Sequence, residues 1–436
     1  MNTIPDPLPR QKIRHITLKA ATIGLILGAA ARAGAADDTW SGNGADRFWK
    51  TPGNWVGGVA PSASDSLFFG GTRNTATTNN FATDTAFNSF TFNSPAGFFV
   101  LGGNEVALGG NITNNQVVTP QTISLPLLLN ATPTVSIVPN GVLTANGAIS
   151  GAHGLVVSGG GTMNLNGTNS FTGSLTVNNS STVVVGADTN LGSGNLVLNN
   201  GTLAATASFA LSAGRGLAVG PGWGGVRVAS GLTLSYGGVI ADNGGAGGLS
   251  KSGYGALALS GANTYSGITT NAIGTLVLDF TQPGSPASGI INSSSSLELG
   301  GGNAGGGAEN EARLVMSGGT VADVQNFNGA FSTFGGSVIV ATNRAGGTVN
   351  LGLGALSHSP GGTIAFVTPQ STAGGHVTTT SPNVNSILGG YALISGDANA
   401  ASTFTDTGHT LTVGTNFAAV DGSGNVFLSD AGHAKV

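Results

Sequence analysis

Two stretches of this chain match each other without a gap, and that match restricts the folds open to it. Gly154, Leu155, Ser158, Gly159, Gly161, Leu165, Gly167, Asn169 and Gly173 recur in the same order and spacing as Gly248, Leu249, Ser252, Gly253, Gly255, Leu259, Gly261, Asn263 and Gly267. The unit reads G-L-x-x-S-G-x-G-x-[LM]-x-L-x-G-x-N-[ST]-[FY]-[ST]-G and leads into a Thr-headed run, Thr182–Val185 or Thr275–Leu278. Looser echoes stand at Asn200-Gly201-Thr202-Leu203 and Gly318-Gly319-Thr320-Val321. Self-similarity of this kind marks stacked units, because one such unit cannot bury its own apolar face.

The runs between the glycines read as strands. In Thr275–Phe280, Leu276, Leu278 and Phe280 fall on one side, and in Ala256–Ser260 so do Leu257 and Leu259. Period-two burial is what a strand with one face on a core demands. Similar runs recur at Leu196–Leu198, Ser337–Val340, Thr348–Leu351 and Thr363–Val367, each bounded by Gly, Asn, Ser or Thr, and helix signals are nearly absent after residue 36. Glycine is 75 of 436 residues, against a usual ~7%, as tight corners require. The expected fold is all-β, a β-solenoid of coils ~20–25 residues long stacked ~4.8 Å apart, a rod on the order of 80 Å. With only 7% charged residues, its surface must be dressed in Ser, Thr, Asn and Gly, side chains that can ladder along a sheet face.

The N-terminus carries a different signal. Arg10, Lys12, Arg14 and Lys19 precede the apolar run Ala20–Ala31, and small residues around Ala33 and Ala35 offer a cleavage site. Residues 1–36 are therefore expected to be a secretory signal peptide. The apolar run is too short for the ~20 residues of a spanning helix, and no other segment could span as one. There is no Cys, so neither disulfides nor thiolate metal sites enter. Residues 1–36 hold five of the 14 Lys and Arg residues, and the rest of the chain holds nine against seventeen Asp and Glu, a thin acidic balance that argues against nucleic acid as a partner.

Residues 37–118 read as an aromatic-rich N-terminal cap with the first coils, and 119–436 as the solenoid with its repeat units at 154–185 and 248–278. Trp40, Phe48, Trp49 and Trp55 crowd the start of the first segment. They could stack on sugars, but the expectation is a hydrophobic cap, which an open-ended solenoid needs.

At these residues the chain resembles the autotransporter-associated β-strand repeat proteins, passenger-type chains of bacteria. The copy from Gly248 to Leu278 is the close match to that family's motif and the copy at Gly154–Val185 a weaker one. The opening Thr39–Gly44, Phe48-Trp49, Asn54-Trp55, Pro61, Asp65 and Phe68–Gly70, and the stretch Gly389–Ala392 through Asn416–Ala418, are also similar to segments of such chains. The resemblance implies a right-handed parallel β-helix, export, and display or release at the cell surface with adhesive roles. It carries no catalytic residues to transfer. A full autotransporter ends in a membrane β-barrel, for which this sequence leaves no room. Release, tethering by a separate outer-membrane translocator, or a longer product are the open expectations.

The remaining candidates are weak. Glu309, Glu311 and Arg313 alternate on one strand face, an arrangement that could serve acid–base work on a glycan but reads more simply as a solvated edge. Asp421–Asn425 opens like a calcium loop, yet Val426 and Gly432 stand where the loop's Gly and Glu belong. The six histidines are scattered, so no metal or cofactor is expected. The function expected is that of an exported, non-enzymatic surface or secreted passenger, adhesive or structural. Its candidate partners are surface glycans or other copies of itself. An extracellular glycan-active β-helix enzyme is the alternative.

Overall fold

Short Leu-, Val- and Thr-rich runs separated by Gly- and Asn-rich corners give many brief strands, and each pairs with the strand one coil away. A computed structural model describes residues 35–300, 311–344, 346–368, 375–383, 388–394, 403–406, 409–412, 416–420 and 422–428. The expected signal segment lies almost wholly outside these, as do Glu309, Asp421, Gly432 and most of Gly300–Gly307. All described residues belong to one compact unit. It is a parallel β-solenoid.

Its coils have three faces. The first is a ten-stranded sheet from Asp37–Trp40 to Ile240–Asp242. The second is a 13-stranded sheet from Ala76–Asn79 to Leu356–His358. The third is a four-stranded sheet, Thr85–Phe87 to Ile149–Ser150, resumed later as a ten-stranded sheet that begins at Phe209–Leu211. A three-stranded sheet, Ala322–Asn326, Thr348–Gly352 and His376–Thr378, takes the first face's place in chain order after that face has ended. The stack runs through residues 118–119 unbroken, with Val100 paired to Thr122 and Ile112 to Val135.

Pairing in register stacks like side chains. On the first face an inward column runs Leu67, Phe90, Ile112, Val135, Val157, Val177, Leu198, Val219, all but free of solvent. Each such side chain contributes roughly 1.5–3 kcal/mol on burial. The next residue in register is Asp242, which is exposed and whose carboxylate accepts hydrogen bonds from the Gly247 and Ser266 N–H groups at 2.7 and 3.1 Å. A carboxylate cannot continue an apolar core, and the sheet ends there.

Both interruptions begin at a copy of the repeat. In the first copy Leu155–Ser158 lies on the first face and Thr162–Leu165 on the second, and Leu155 pairs with Leu175 in the next coil. The intervening N-S-F-T-G turn stands where the third face would add a strand. In the second copy Leu249–Ser252 lies on the second face and Ala256–Leu259 on the third, and Leu249 pairs with Thr269. There the turn replaces the first face. The motif is thus a corner plus a face-skipping turn, set at two different corners, and not a whole coil in fixed phase.

Parallel pairing gives way near the C-terminal side. Asn416–Val420 pairs antiparallel with both Ala392–Ile394 and Val426–Leu428, and Thr403–Asp406 with His409–Thr412. This departs from the uniform parallel solenoid expected for 119–436. The hairpin lays a reversed strand along the last parallel edge, a device that blunts the edge.

Candidate functional site

The repeat-defining residues all work inside the stack. Asn169 Oδ1 accepts the Ile149 N–H at 2.8 Å, and its amide donates to Asn190 O at 2.5 Å. Asn263 Oδ1 likewise accepts the Ile240 N–H at 2.8 Å and donates to Ile290 O at 2.7 Å. Each asparagine therefore ties the coil before it to the coil after it. Beside it, Phe171 and Tyr265 are fully buried. Leu155, Leu165, Leu249 and Leu259 fill the interior, while Ser158 and Ser252 are half-buried. A Cβ on Gly154, Gly159, Gly161, Gly167, Gly173, Gly248, Gly253, Gly255, Gly261 or Gly267 would meet another atom within 3.0 Å, in most cases a backbone atom of an adjacent coil. These glycines set how closely coils approach.

The N-terminal aromatics divide. Trp40, Trp49 and Trp55 are 1%, 0% and 2% exposed, whereas Phe48 is 44% exposed. Trp49 stands edge-on to Phe87 and Phe90 and donates its indole N–H to Thr77 Oγ1 at 2.9 Å. Trp55 stacks edge-on with Trp40 and donates to Trp49 O at 2.7 Å. Residues 41–58 thus carry two indoles into the interior of the first coils, where Phe69, Phe92 and Phe99 complete the cluster. Rings this deeply buried offer no face to a sugar.

Glu311 is exposed and precedes the strand Ala312–Ser317, on which Arg313 is half-buried. Among the described residues no three His, Asp or Glu side chains converge as a metal site. None of the helices there is long and apolar enough to cross a membrane. His358 stacks on Tyr391 at 4.1 Å between ring centroids.

Three residues that sequence reasoning passed over stand out. Arg215, 5% exposed, forms a two-point pair with Asp188 at 3.0 and 3.1 Å and also donates to Gly192 O and Gly194 O. It locks a corner of neighbouring coils. Lys251 enters the inward column of the second face, next to Val226 and Asn271, and is fully buried. Its Nζ donates to Gly253 O and Ile273 O, each at 2.5 Å, and burial pulls it down to about 7. The only sequence sign of it was a charge on the apolar beat of a strand.

The third is Trp223, 38% exposed with φ +69°. It flanks a shallow groove of about 280 Å³ lined by Ser180, Asn200, Gly201, Thr202, Gly222, Gly225 and Ser250. The signal for it was a tryptophan alone in a Gly-Pro-Gly-Trp-Gly-Gly corner, off the strand's burial beat. A second shallow groove, about 250 Å³, lies between Asp279 and Arg344. There Asp279 already accepts from Thr281 and Gln282 of its own turn.

No protein-family model matches the chain, and comparisons with curated proteins and with solved structures found no match.

Proposed function

We propose that this chain is an exported, non-enzymatic β-solenoid, a surface or secreted passenger with an adhesive or structural role in the extracellular layer, its coils wound right-handed. The observation that carries the reading is the outward ladder of uncharged hydrogen-bonding side chains. Thr162, Thr182 and Thr202 stand in register on the second face, and Thr91, Thr113 and Ser136 on the first. Amides link coil to coil outside the core, Asn164 to Thr144 at 3.1 Å, Asn166 to Asn146 at 3.0 Å and Asn179 to Ser158 at 2.8 Å. Such a surface repeats the same weak contact along its length, so affinity builds by multivalency and not in one pocket. The basic-then-apolar N-terminus supports export, and the resemblance to autotransporter-associated repeat chains supports the class.

Fractionation of the native source with intact-mass measurement tests it. A species lacking the first 36 residues, in the culture supernatant or at the outer membrane, supports the reading. A species that keeps those residues and stays in the cytoplasm overturns it.

A further inference from the structure

Trp223 occupies a position for which the fold has no use for a tryptophan. The corner that leads into the second face is built the same way in successive coils, from Asn140, Gly160, Ser180, Asn200 and Trp223, with φ of +63, +85, +62, +54 and +69°. Backbone bonds tie the column together, Ser180 N–H to Asn200 O at 2.5 Å and Asn200 N–H to Trp223 O at 2.7 Å. Gly and Asn enter the left-handed region readily; a bulky side chain does not. Strain of this kind gathers where a side chain must be presented.

The indole is held flat and half-open. A Cβ on Gly248 would lie 3.3 Å from Trp223 Cδ2 and 3.5 Å from Cε2. Those are the ring-fusion carbons, which can be touched together only from above or below the plane, since other atoms form the indole's edge. One face of Trp223 therefore lies over Gly248, which leaves the other face and the ring edge for the part that is exposed. Beside it the outward column Thr202, Gly225, Ser250 carries no side chain at Gly225, where a Cβ would stand 2.5 Å from Thr202 Oγ1, so the Thr202 hydroxyl borders the groove floor there. Ser180, Asn200, Thr202 and Ser250 supply hydroxyl and amide groups along it, with Asn200 Nδ2 donating to Ser180 Oγ at 3.2 Å. The lining carries no charge; the exposed Arg227 lies two residues along the strand from Gly225.

From this geometry we infer that the Trp223 groove binds a neutral oligosaccharide, one pyranose stacked on the open indole face and its hydroxyls bonded to Asn200, Thr202 and Ser250. A pyranose has an apolar C–H face that packs on an electron-rich ring, and hydroxyl rims that suit uncharged donors and acceptors. A charged ligand would find no partner in the lining. The groove crosses four coils, about 14 Å at ~4.8 Å per coil, the reach of a short oligosaccharide. This deepens the adhesive reading and rests on it only for where the glycan is met.

The test is a panel of neutral hexose and N-acetylhexosamine oligosaccharides, with sialylated and uronate-containing ones as comparators, against the purified chain. Trp40, Trp49 and Trp55 are buried, so protection of fluorescence from acrylamide reports on Trp223. A neutral member is expected to protect it, and Trp223→Asn, which suits the left-handed corner, to weaken binding about tenfold or more. Ser250→Ala, which removes one of the named hydroxyls and keeps the indole, is expected to weaken it about threefold or more with an unchanged thermal midpoint. The inference is overturned if no neutral member binds, if only anionic members bind, or if both variants stay within about twofold of the parent. Because the assay uses purified protein, a cytoplasmic location would sink the export reading and leave this result standing.

Discussion

Lys251 shows how one residue can set the molecule's response to pH. It sits where the second face otherwise carries Leu143, Met163, Val183, Leu203 and Val226 inward. A neutral amine has two N–H bonds, and the two carbonyls it meets, Gly253 O and Ile273 O, match that count. Burial holds its pKa at about 7 against an ordinary 10.5. The folded chain therefore sheds this proton at a pH where the unfolded chain still holds it. The associated stability is full above the unfolded value and is lost as pH falls from about 10 toward 7, at most about 1.4 kcal/mol per pH unit. The thermal midpoint is expected to rise by a few degrees between about pH 7 and 9.5, a window that ends before the tyrosines ionise. In Lys251→Met the rise should flatten. An equally steep rise in that variant would mean that another group is responsible.

At the scale of the element, the Gly-rich motif is a statement about spacing between coils. A Cβ on Gly261 would stand 2.0 Å from Gly238 O and 2.7 Å from Gly238 C, both backbone atoms of the coil below. Gly261→Ala is expected to cost roughly 3 kcal/mol, because neither backbone can withdraw without breaking its ladder. Gly214, whose nearest neighbour for a Cβ is Ser212 Oγ at 3.8 Å, is the control. There alanine is expected to be neutral or to stabilise by about 0.5 kcal/mol through the unfolded chain. Denaturant midpoints of the two variants decide, and equal midpoints would remove the close-packing account. The strands themselves were legible in the sequence, since Leu276, Leu278 and Phe280 do share the buried side and so do Leu257 and Leu259. The shift of the second repeat copy onto the next pair of faces was not. The motif encodes a corner and a turn, whereas the face it lands on depends on residues per coil summed over every coil between. Trp223 was hidden for a related reason: its oddity appears only when its corner is aligned with Asn140, Gly160, Ser180 and Asn200, an alignment that strand pairing supplies.

A whole molecule built this way touches itself mainly between neighbouring coils, so stability should be spent and lost locally. The N-terminal aromatics give the sharpest trial. Trp49 is fully buried between Phe69, Phe87 and Phe90, with centroids 5.8, 5.8 and 6.0 Å away. Trp49→Ala removes a side chain whose loss from a core costs about 3–5 kcal/mol. In a globule that loss would lower protection everywhere. Here amide exchange is expected to quicken in Ser66–Gly71, Ala76–Asn79 and Thr85–Phe87, which line the aromatic cluster, and to stay at the parent's rate from Leu196–Asn199 onward. Hydrogen exchange read by mass spectrometry on peptides from both regions measures it. A uniform loss of protection would show that the coils unfold as one cooperative body, and the picture of a stack held coil by coil would lose its physical basis.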